Sequence, residues 1–185
     1  MPSTSCPIFW LFGLSGAGKS TMANALIGEL RSRGHAVLAL DGDDLRAGLC
    51  RGLGFSDLDR AENLRRAAEV ARLGSASGLC VVASFITPLE SHRQLVAGIL
   101  HRQKLSLIHV DASLAVCRER DTKGLYAQAK SNQMDHITGL SSPFETSPSA
   151  ALVIHTDKES PAASSVKLLN FVLGRLQAAS VPDHA

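Results

Sequence analysis

Apolar residues along the chain form short unbroken runs that alternate with stretches of helical spacing. The runs are typical of buried strands and cover residues 8–12, 35–40, 79–85, 105–110 and 151–154. The stretches with helical spacing cover residues 19–33, 56–74, 90–102, 113–120, 123–131 and the region from 160 onward. Apolar strands separated by helices are typical of a parallel sheet covered on both faces. The pattern therefore predicts an α/β fold, a three-layer sandwich around a mostly parallel sheet.

A glycine-rich motif follows the first predicted strand and opens the first predicted helix. It fits G-x-x-x-x-G-K-[ST] and consists of Gly13, Leu14, Ser15, Gly16, Ala17, Gly18, Lys19 and Ser20, followed by Thr21. In such a loop the backbone N–H groups and the helix N-terminus bind the phosphates of ATP. Lys19 is expected to reach the β- and γ-phosphates, and Ser20 is expected to bind Mg²⁺. The motif indicates a sandwich of the P-loop NTPase type.

Two aspartates stand directly beyond the second predicted strand. Because the carboxyl ends of parallel strands share one edge, Asp41 and Asp43 are expected beside the phosphate-binding loop. One would accept a proton from an acceptor hydroxyl and one would order the metal, with Asp41 the candidate metal ligand beside Ser20. The sequence alone does not separate the two roles, and a solvated turn is the structural alternative. Asp44 is expected to cap the turn that follows.

The loop alone leaves several enzyme classes open. The sequence contains no N-K-x-D segment, which a GTPase would need to read guanine, and its 185 residues are few for a motor or AAA-type ATPase. A small-molecule kinase fits better, because its main task is to align an acceptor hydroxyl with the γ-phosphate. The segment 132–150 is polar and rich in Ser, Thr and Pro, so we expect a lid at about 120–150.

Arginines after the second strand indicate an anionic acceptor. Arg60 and Asn63 are three residues apart and share one face of a predicted helix, while Arg46 follows the aspartates directly. Guanidinium groups bind phosphate- or sulfate-like anions through paired hydrogen bonds. A solvated helix face is the alternative, and one of Arg65 and Arg66 is expected to point away from the site.

Composition excludes further classes of protein. A net charge of +2 with 45% apolar and 19% charged residues is ordinary for a globular domain and speaks against general binding of nucleic acid. No apolar run is long enough to span a membrane. The four cysteines form no C-x-x-C pair, which fits a reducing cytoplasm. We expect residues 1–185 to form one cytoplasmic domain.

Further motifs resemble adenylyl-sulfate (APS) kinase, in order along nearly the whole chain. They lie at residues 41–49, 52–66, 84–88, 120–126 and 138–145. Members of this family transfer the γ-phosphoryl group of ATP to the 3′-hydroxyl of APS and form PAPS. The resemblance therefore implies an ATP- and Mg²⁺-dependent enzyme of sulfate activation, acting on a small nucleotide as a homodimer.

Two alternatives to this function stay open at the level of sequence. One is the same chemistry on another nucleotide, such as cytidine diphosphoramidate. The other is a non-catalytic nucleotide-binding module of a sulfate-activation complex. Lys19, Ser20, Asp41 and Asp43 are all present, which speaks against the module.

The resemblance also implies roles for individual residues. On the acceptor side it implies Asp43, Arg46, Phe55, Arg60, Asn63, Phe85, Ile86, Lys123, Ile137 and Thr138. Phe55 would be an aromatic wall on the adenine, and Lys123 would be the lysine of the lid. Ser84 matches a serine that the family describes as a phosphoserine intermediate, although direct in-line transfer needs none and a small residue at a strand end is as good a reading. Arg118 or Arg120 would pack on the adenine of ATP.

The lid departs from the family pattern. Where the family usually has a phenylalanine before Thr-Gly, this chain has Ile137, and Ser141 stands where the family has an aspartate. The missing ring would form the second wall of an adenine sandwich. The departures from the family pattern therefore concentrate on the part of the site that binds the base of the acceptor.

The variant Ile137→Phe is predicted to tighten APS binding. Stacking of a base on an aromatic ring contributes on the order of 1–3 kcal/mol, so a restored wall should lower the KM for APS about tenfold. Steady-state kinetics measure this, with the KM for ATP as the internal control. An unchanged or raised KM for APS would count against a missing wall.

Overall fold

The structure, a computed structural model, describes residues 5–122, 124–130, 138–140 and 142–180. Its strands are β1 (Ile8–Phe12), β2 (Val37–Asp41), β3 (Cys80–Phe85), β4 (Leu105–Asp111) and β5 (Leu152–His155). They form one sheet in the order β2-β3-β1-β4-β5, and neighbouring strands pair in parallel. The predicted parallel sheet is confirmed, with strand ends shifted by one or two residues.

Helices connect the strands. They are α1 (Lys19–Ser32), α2 (Gly42–Ala47), α3 (Asp57–Ala76), α4 (Glu90–Ile99), α5 (Leu114–Arg120), α6 (Leu125–Lys130) and α7 (Pro161–Ser180). Gly34, with φ at +84°, follows the end of α1, and Ser56 caps α3 by accepting a hydrogen bond from the Asp59 N–H at 3.2 Å. None of the helices in the part of the chain that the structure describes has the length and apolar character needed to cross a bilayer.

The segment after β2 corrects one prediction. The sequence predicts a turn or loop over residues 41–46, but residues 42–47 form the short helix α2. Its N-cap is Asp41, whose side chain accepts a hydrogen bond from the Asp43 N–H at 2.9 Å, so the expected cap at Asp44 is wrong. No residue of α2 is buried, so the helix leaves no apolar period in the sequence.

Strand β1 explains why helices cover both faces of the sheet. All five of its side chains are fully buried, and they alternate between the two faces. Phe9 and Leu11 pack in a core with α1 and α7, whereas Ile8, Trp10 and Phe12 pack in a second core with α3 and α4. The structure is thus the predicted three-layer sandwich.

The cysteines are free thiols, of which Cys50, Cys80 and Cys117 are buried. Burial raises the pKa of Cys80 to about 12. The buried thiols therefore remain protonated at neutral pH and act as small apolar side chains.

We predict that Gly13→Ala destabilises the protein. Gly13 has φ at +153°, and a Cβ atom there would lie 2.1 Å from the backbone oxygen of Val110. The clash with rigid backbone should lower the free energy of unfolding by about 2 kcal/mol or more. Denaturant unfolding followed by circular dichroism measures the change.

Gly28→Ala is the matched control for Gly13→Ala. Gly28 is exposed in α1, and a Cβ there meets nothing within 4 Å. This substitution should raise stability by up to about 1 kcal/mol, because alanine has the higher helix propensity. A Gly13→Ala protein as stable as the parent would refute the steric argument.

Candidate active site

A cavity of about 430 Å³ opens at the carboxyl edge of the sheet. Phosphate-loop residues, the ends of β2 and β3, the beginning of α3 and the beginning of α7 contribute to its wall. The predicted site residues that line it are Ser15, Gly16, Gly18, Lys19, Ser20, Thr21, Asp41, Asp43, Arg46, Phe55, Arg60, Asn63, Ser84, Phe85, Ile86 and Arg120. The structure therefore brings the predicted donor and acceptor residues into one space.

The phosphate-binding loop leaves β1 and turns sharply into α1. Gly16 and Gly18 adopt φ values of +79° and +97°, which favour glycine. A Cβ on Gly16 would lie 2.7 Å from the backbone oxygen of Cys117, so the loop also needs glycine for close approach to α5. The Lys19 ammonium donates to the Leu14 backbone oxygen at 2.8 Å and is thereby held over the loop.

Thr156 and Arg120 hold the loop from outside. The Thr156 hydroxyl donates to the Ala17 backbone oxygen at 2.7 Å. The Arg120 guanidinium donates to the Thr156 backbone oxygen at 2.8 Å and to the Gly16 backbone oxygen at 3.4 Å. Arg120 lines the cavity, whereas Arg118 is not among its described lining residues. This geometry favours Arg120 in the choice that the sequence left open.

Tyr126 in α6 makes a further contact with the loop. Its hydroxyl donates to the Ser15 backbone oxygen at 3.0 Å, and burial raises its pKa to about 12. The Asp121 carboxylate accepts hydrogen bonds from the backbone N–H groups of Tyr126 and Ala127 at 3.1 and 2.9 Å. The start of α6 is thus fixed against the phosphate-binding loop.

Asp41 and Asp43 differ in their surroundings. One carboxylate oxygen of Asp41 accepts a hydrogen bond from the Ser20 hydroxyl at 2.9 Å, and the other accepts from the Asp43 N–H at 2.9 Å. The Asp43 side chain is exposed and lines the cavity. Both oxygens of Asp41 are therefore engaged beside the loop, whereas Asp43 lies on the side of the arginines.

The Ser20–Asp41 pair fits a magnesium ion by the chemistry of its donors. Mg²⁺ prefers hard oxygen ligands and usually combines one or two carboxylates with phosphate and water oxygens. Within the described ranges, no group of three or more His, Cys, Asp and Glu side chains could hold a metal. The fit is therefore to a metal shared with substrate phosphates and not to a cage built by the protein alone.

At the end of the cavity where the sequence predicts the acceptor, two cationic side chains surround one aromatic ring. The guanidinium groups of Arg46 and Arg60 lie 4.5 and 5.5 Å from the ring centre of Phe55. Burial lowers the pKa of both arginines, and the charge of Arg46 lowers that of Arg60 further. The Asn63 carbonyl, with its amide oriented to suit this network, accepts from Arg46 at 3.3 Å. Two such neighbouring cations, which stay protonated, favour an anionic ligand.

Ser84 lies at the end of β3, opposite Asp41 in the register of β2 and β3. It lines the cavity, and its buried hydroxyl has no hydrogen-bond partner among the described residues. Both interpretations of this serine, intermediate or small residue at a strand end, stay predictions.

Other predicted residues do not reach the described lining of the cavity. Gly13, Leu14 and Ala17 belong to the loop but are not among the described residues that line the cavity. Thr138 is buried beside Ser142. Lys123 and Ile137 lie outside the described residues.

Sequence reasoning missed part of the lining. The missed residues are Met22, Gly42, Leu64, Thr87, Pro88, Thr122, Leu125, Thr156, Pro161 and Ser164. Six of them lie inside the motifs at 41–49, 52–66, 84–88 and 120–126, which was one available signal. Position was the other, since Thr156 and Pro161 follow the last predicted strand at the carboxyl edge of the sheet.

Comparison with known proteins places this site in a family. The family model described as adenylylsulphate kinase matches residues 5–155, a range that holds every site residue predicted from the sequence. The adenylyl-sulfate kinase of Shewanella amazonensis is 45% identical over 166 residues, which cover 90% of this chain and 84% of that protein. The adenylyl-sulfate kinase of Bacteroides thetaiotaomicron is 42% identical over 170 residues, covering 92% and 85%.

A solved structure agrees with these sequence matches. The APS kinase of Mycobacterium tuberculosis in complex with AMPPNP and APS is 36% identical to this chain. The two structures superimpose with a TM-score of 0.87 over 91% of this chain and 98% of that one. The fold, the phosphate-binding loop and the matched sequence range agree: this chain belongs to the adenylylsulphate kinase family.

Proposed function

We propose that this protein transfers the γ-phosphoryl group of ATP to the 3′-hydroxyl of APS, releasing ADP and forming PAPS for sulfate activation. The observation that carries the proposal is the continuous cavity from the phosphate-binding loop to Arg46 and Arg60. A phosphoryl donor on the loop and an acceptor held by the arginines would face each other across it. The relatives support this choice, because they are adenylyl-sulfate kinases and the Mycobacterium tuberculosis enzyme holds AMPPNP together with APS.

Asp43 is the proposed general base. Asp43 lines the cavity, and Asp41 is placed beside the phosphate-binding loop by its hydrogen bond from the Ser20 hydroxyl, where it suits the metal. As the 3′-oxygen forms its bond to the γ-phosphorus, its proton moves to Asp43. The bond between the γ-phosphorus and the bridging oxygen breaks, and ADP carries that oxygen away.

Asp41 and Ser20 are the proposed protein ligands of Mg²⁺. A bound Mg²⁺ would supply charge neutralisation for the β- and γ-phosphates. Lys19, whose ammonium group is oriented by the Leu14 backbone oxygen, would add its positive charge near the same phosphates. Arg120 is proposed to pack on the adenine of ATP.

The acceptor would be held by charge and by stacking in one place, because the guanidinium groups of Arg46 and Arg60 lie 4.5 and 5.5 Å from the ring centre of Phe55. Arg46, Arg60 and Asn63 are proposed to bind the phosphosulfate and ribose of APS, and Phe55 its adenine. Phe85 and Ile86 line the same part of the cavity. The family resemblance adds Lys123, Ile137 and Thr138 of the predicted lid to the proposed acceptor residues. Ser84 has no step in direct transfer.

The test of this function is ADP release from ATP and Mg²⁺ with a panel of acceptors. The panel contains APS, AMP, a cytidine diphosphate derivative such as cytidine diphosphoramidate, and no acceptor. Turnover with APS and background with the others supports the proposal. Turnover only with the cytidine compound would refute APS as the acceptor and leave the assignment as a kinase in place. ATP binding without turnover on any acceptor favours a non-catalytic module.

Asp43→Asn is predicted to lower kcat by a factor of about 10²–10⁴, because the amide cannot take the proton. The KM for ATP should change little, since the Ser20–Asp41 pair is left in place. Asp44→Asn is the matched control, as Asp44 is an exposed residue of the same helix outside the described lining of the cavity. Equal kcat values for the Asp43 and Asp44 variants would remove Asp43 from the base role.

Asp41→Asn is predicted to act through the metal. Replacing a carboxylate ligand by an amide should raise the Mg²⁺ concentration for half-maximal activity about tenfold or more. A titration of Mg²⁺ at fixed ATP measures this, with the Asp43 variant alongside. If the Asp43 variant instead shows the larger shift in Mg²⁺ requirement, the two proposed roles are reversed.

A homodimer and a cytoplasmic location are parts of the proposal that come from the family resemblance. Sedimentation velocity on the purified chain tests the first, and a dimer at micromolar concentration is the expected result. Fractionation of the source cells tests the second.

A further inference from the structure

Arg93 on α4 is a buried cation outside the described lining of the cavity. Its side chain is 1% exposed, yet it forms an ion pair with Glu90, Nε to Oε2, at 2.9 Å. Its Nη1 donates to the backbone oxygens of Thr87 and Pro88 at 3.1 and 3.2 Å, and its Nη2 donates to that of Thr146 at 3.2 Å. Burying a guanidinium is costly unless its donors are satisfied. Here the Arg93 donors bond to backbone oxygens in two separate segments of the chain.

The first segment, residues 86–88, is called the acceptor loop because it follows β3 and lines the acceptor side of the cavity. Thr87 adopts φ at +43°, which is unfavourable for a β-branched residue. Its hydroxyl accepts a hydrogen bond from the Trp10 indole at 2.9 Å, and its carbonyl accepts from Arg93. The Ile86 carbonyl accepts from the Gly13 N–H at 3.2 Å. A strained backbone persists only where its surroundings fix it, and here a buried cation does so.

The second segment, residues 144–146, lies near the C-terminal end of the predicted lid. The Thr146 carbonyl accepts from Arg93, the Glu145 N–H donates to the Pro88 carbonyl at 2.9 Å, and the Glu145 carboxylate accepts from the Glu90 N–H. Arg93 and Glu145 therefore bridge the acceptor loop to the end of the lid. A shift of one segment would break hydrogen bonds to the other.

We propose that Arg93 is a positioning residue that sets the acceptor loop and couples it to the end of the lid. The proposal rests on the proposed function. Arg93 acts through the carbonyls of Thr87 and Pro88 and contributes to the acceptor pocket by fixing its wall. Its loss should weaken binding of the acceptor far more than binding of ATP.

The first test is steady-state kinetics of Arg93→Lys. Lysine keeps the charge but lacks the fork that serves three carbonyls at once. We expect the KM for APS to rise about tenfold, with the KM for ATP within twofold and kcat within threefold. Arg72→Lys is the matched control, because Arg72 forms a similar ion pair with a glutamate three residues earlier, but on the surface. The control should keep all three constants.

The second test reads the acceptor loop without turnover. Trp10 is the only tryptophan of the chain, is fully buried, and donates its indole N–H to Thr87. Its fluorescence therefore reports on this loop. We expect Arg93→Lys to shift the emission maximum of folded protein, and Arg72→Lys to leave it unchanged. Because this measurement needs no substrate, it decides the role of Arg93 even if the parent enzyme fails to phosphorylate APS.

The outcomes separate cleanly. Folded Arg93→Lys with unchanged emission and an unchanged KM for APS overturns the proposal, and so does an equal rise of KM for APS and ATP. If Arg93→Lys does not fold, Glu145→Ala decides, since it removes an exposed side chain from the same bridge. We expect this variant to raise the KM for APS about threefold with the KM for ATP unchanged. Unchanged constants would overturn the coupling.

Discussion

The site depends on how closely the backbone at the end of β1 passes the backbone of β4. Only glycine fits at position 13, because a Cβ would lie 2.1 Å from the Val110 oxygen. At the same position the Gly13 N–H bonds to the Ile86 carbonyl beyond β3. Since β1 lies between β3 and β4, the phosphate-binding loop is held on both sides where it begins. These backbone contacts fix where the phosphate-binding loop starts relative to the segment that follows β3.

The parts of the structure that could be predicted are those with a local signature. Five apolar runs predicted five parallel strands, and the glycine motif predicted the loop. Helix α2 could not be found this way, because it buries no residue. Its N-cap is Asp41, whereas the sequence predicted a cap at Asp44. Arg93, Thr156 and Tyr126 bind backbone carbonyls far away in the sequence or in another segment. The partners of these side chains lie far away along the chain, so no local sequence pattern marks them.

Helix α3 divides its cations between two environments. Arg60 lies on the buried face at the cavity, where desolvation lowers its pKa. Arg65 and Arg66 both bond to Glu62 at 2.7 and 2.8 Å, and neither is among the described lining residues. Exposed pairs of this kind contribute little to stability. Buried Arg60, with half-buried Arg46 beside it at Phe55, is therefore the cation of this helix that is placed to favour an anionic ligand.

The strand order also has a consequence for biosynthesis. Strand β1 emerges from the ribosome before the other four, but its partners in the sheet are β3 and β4. The hydrogen bond that closes the phosphate-binding loop comes from Thr156, 139 residues after Ala17. At translation rates of about 5–20 residues per second, the nascent chain waits roughly 7–28 s before this contact can form. For the first part of that interval, until β3 and β4 have emerged, a strand that is apolar on both faces has no sheet to enter. The strand that leads into the nucleotide site is therefore exposed to aggregation before its partners exist.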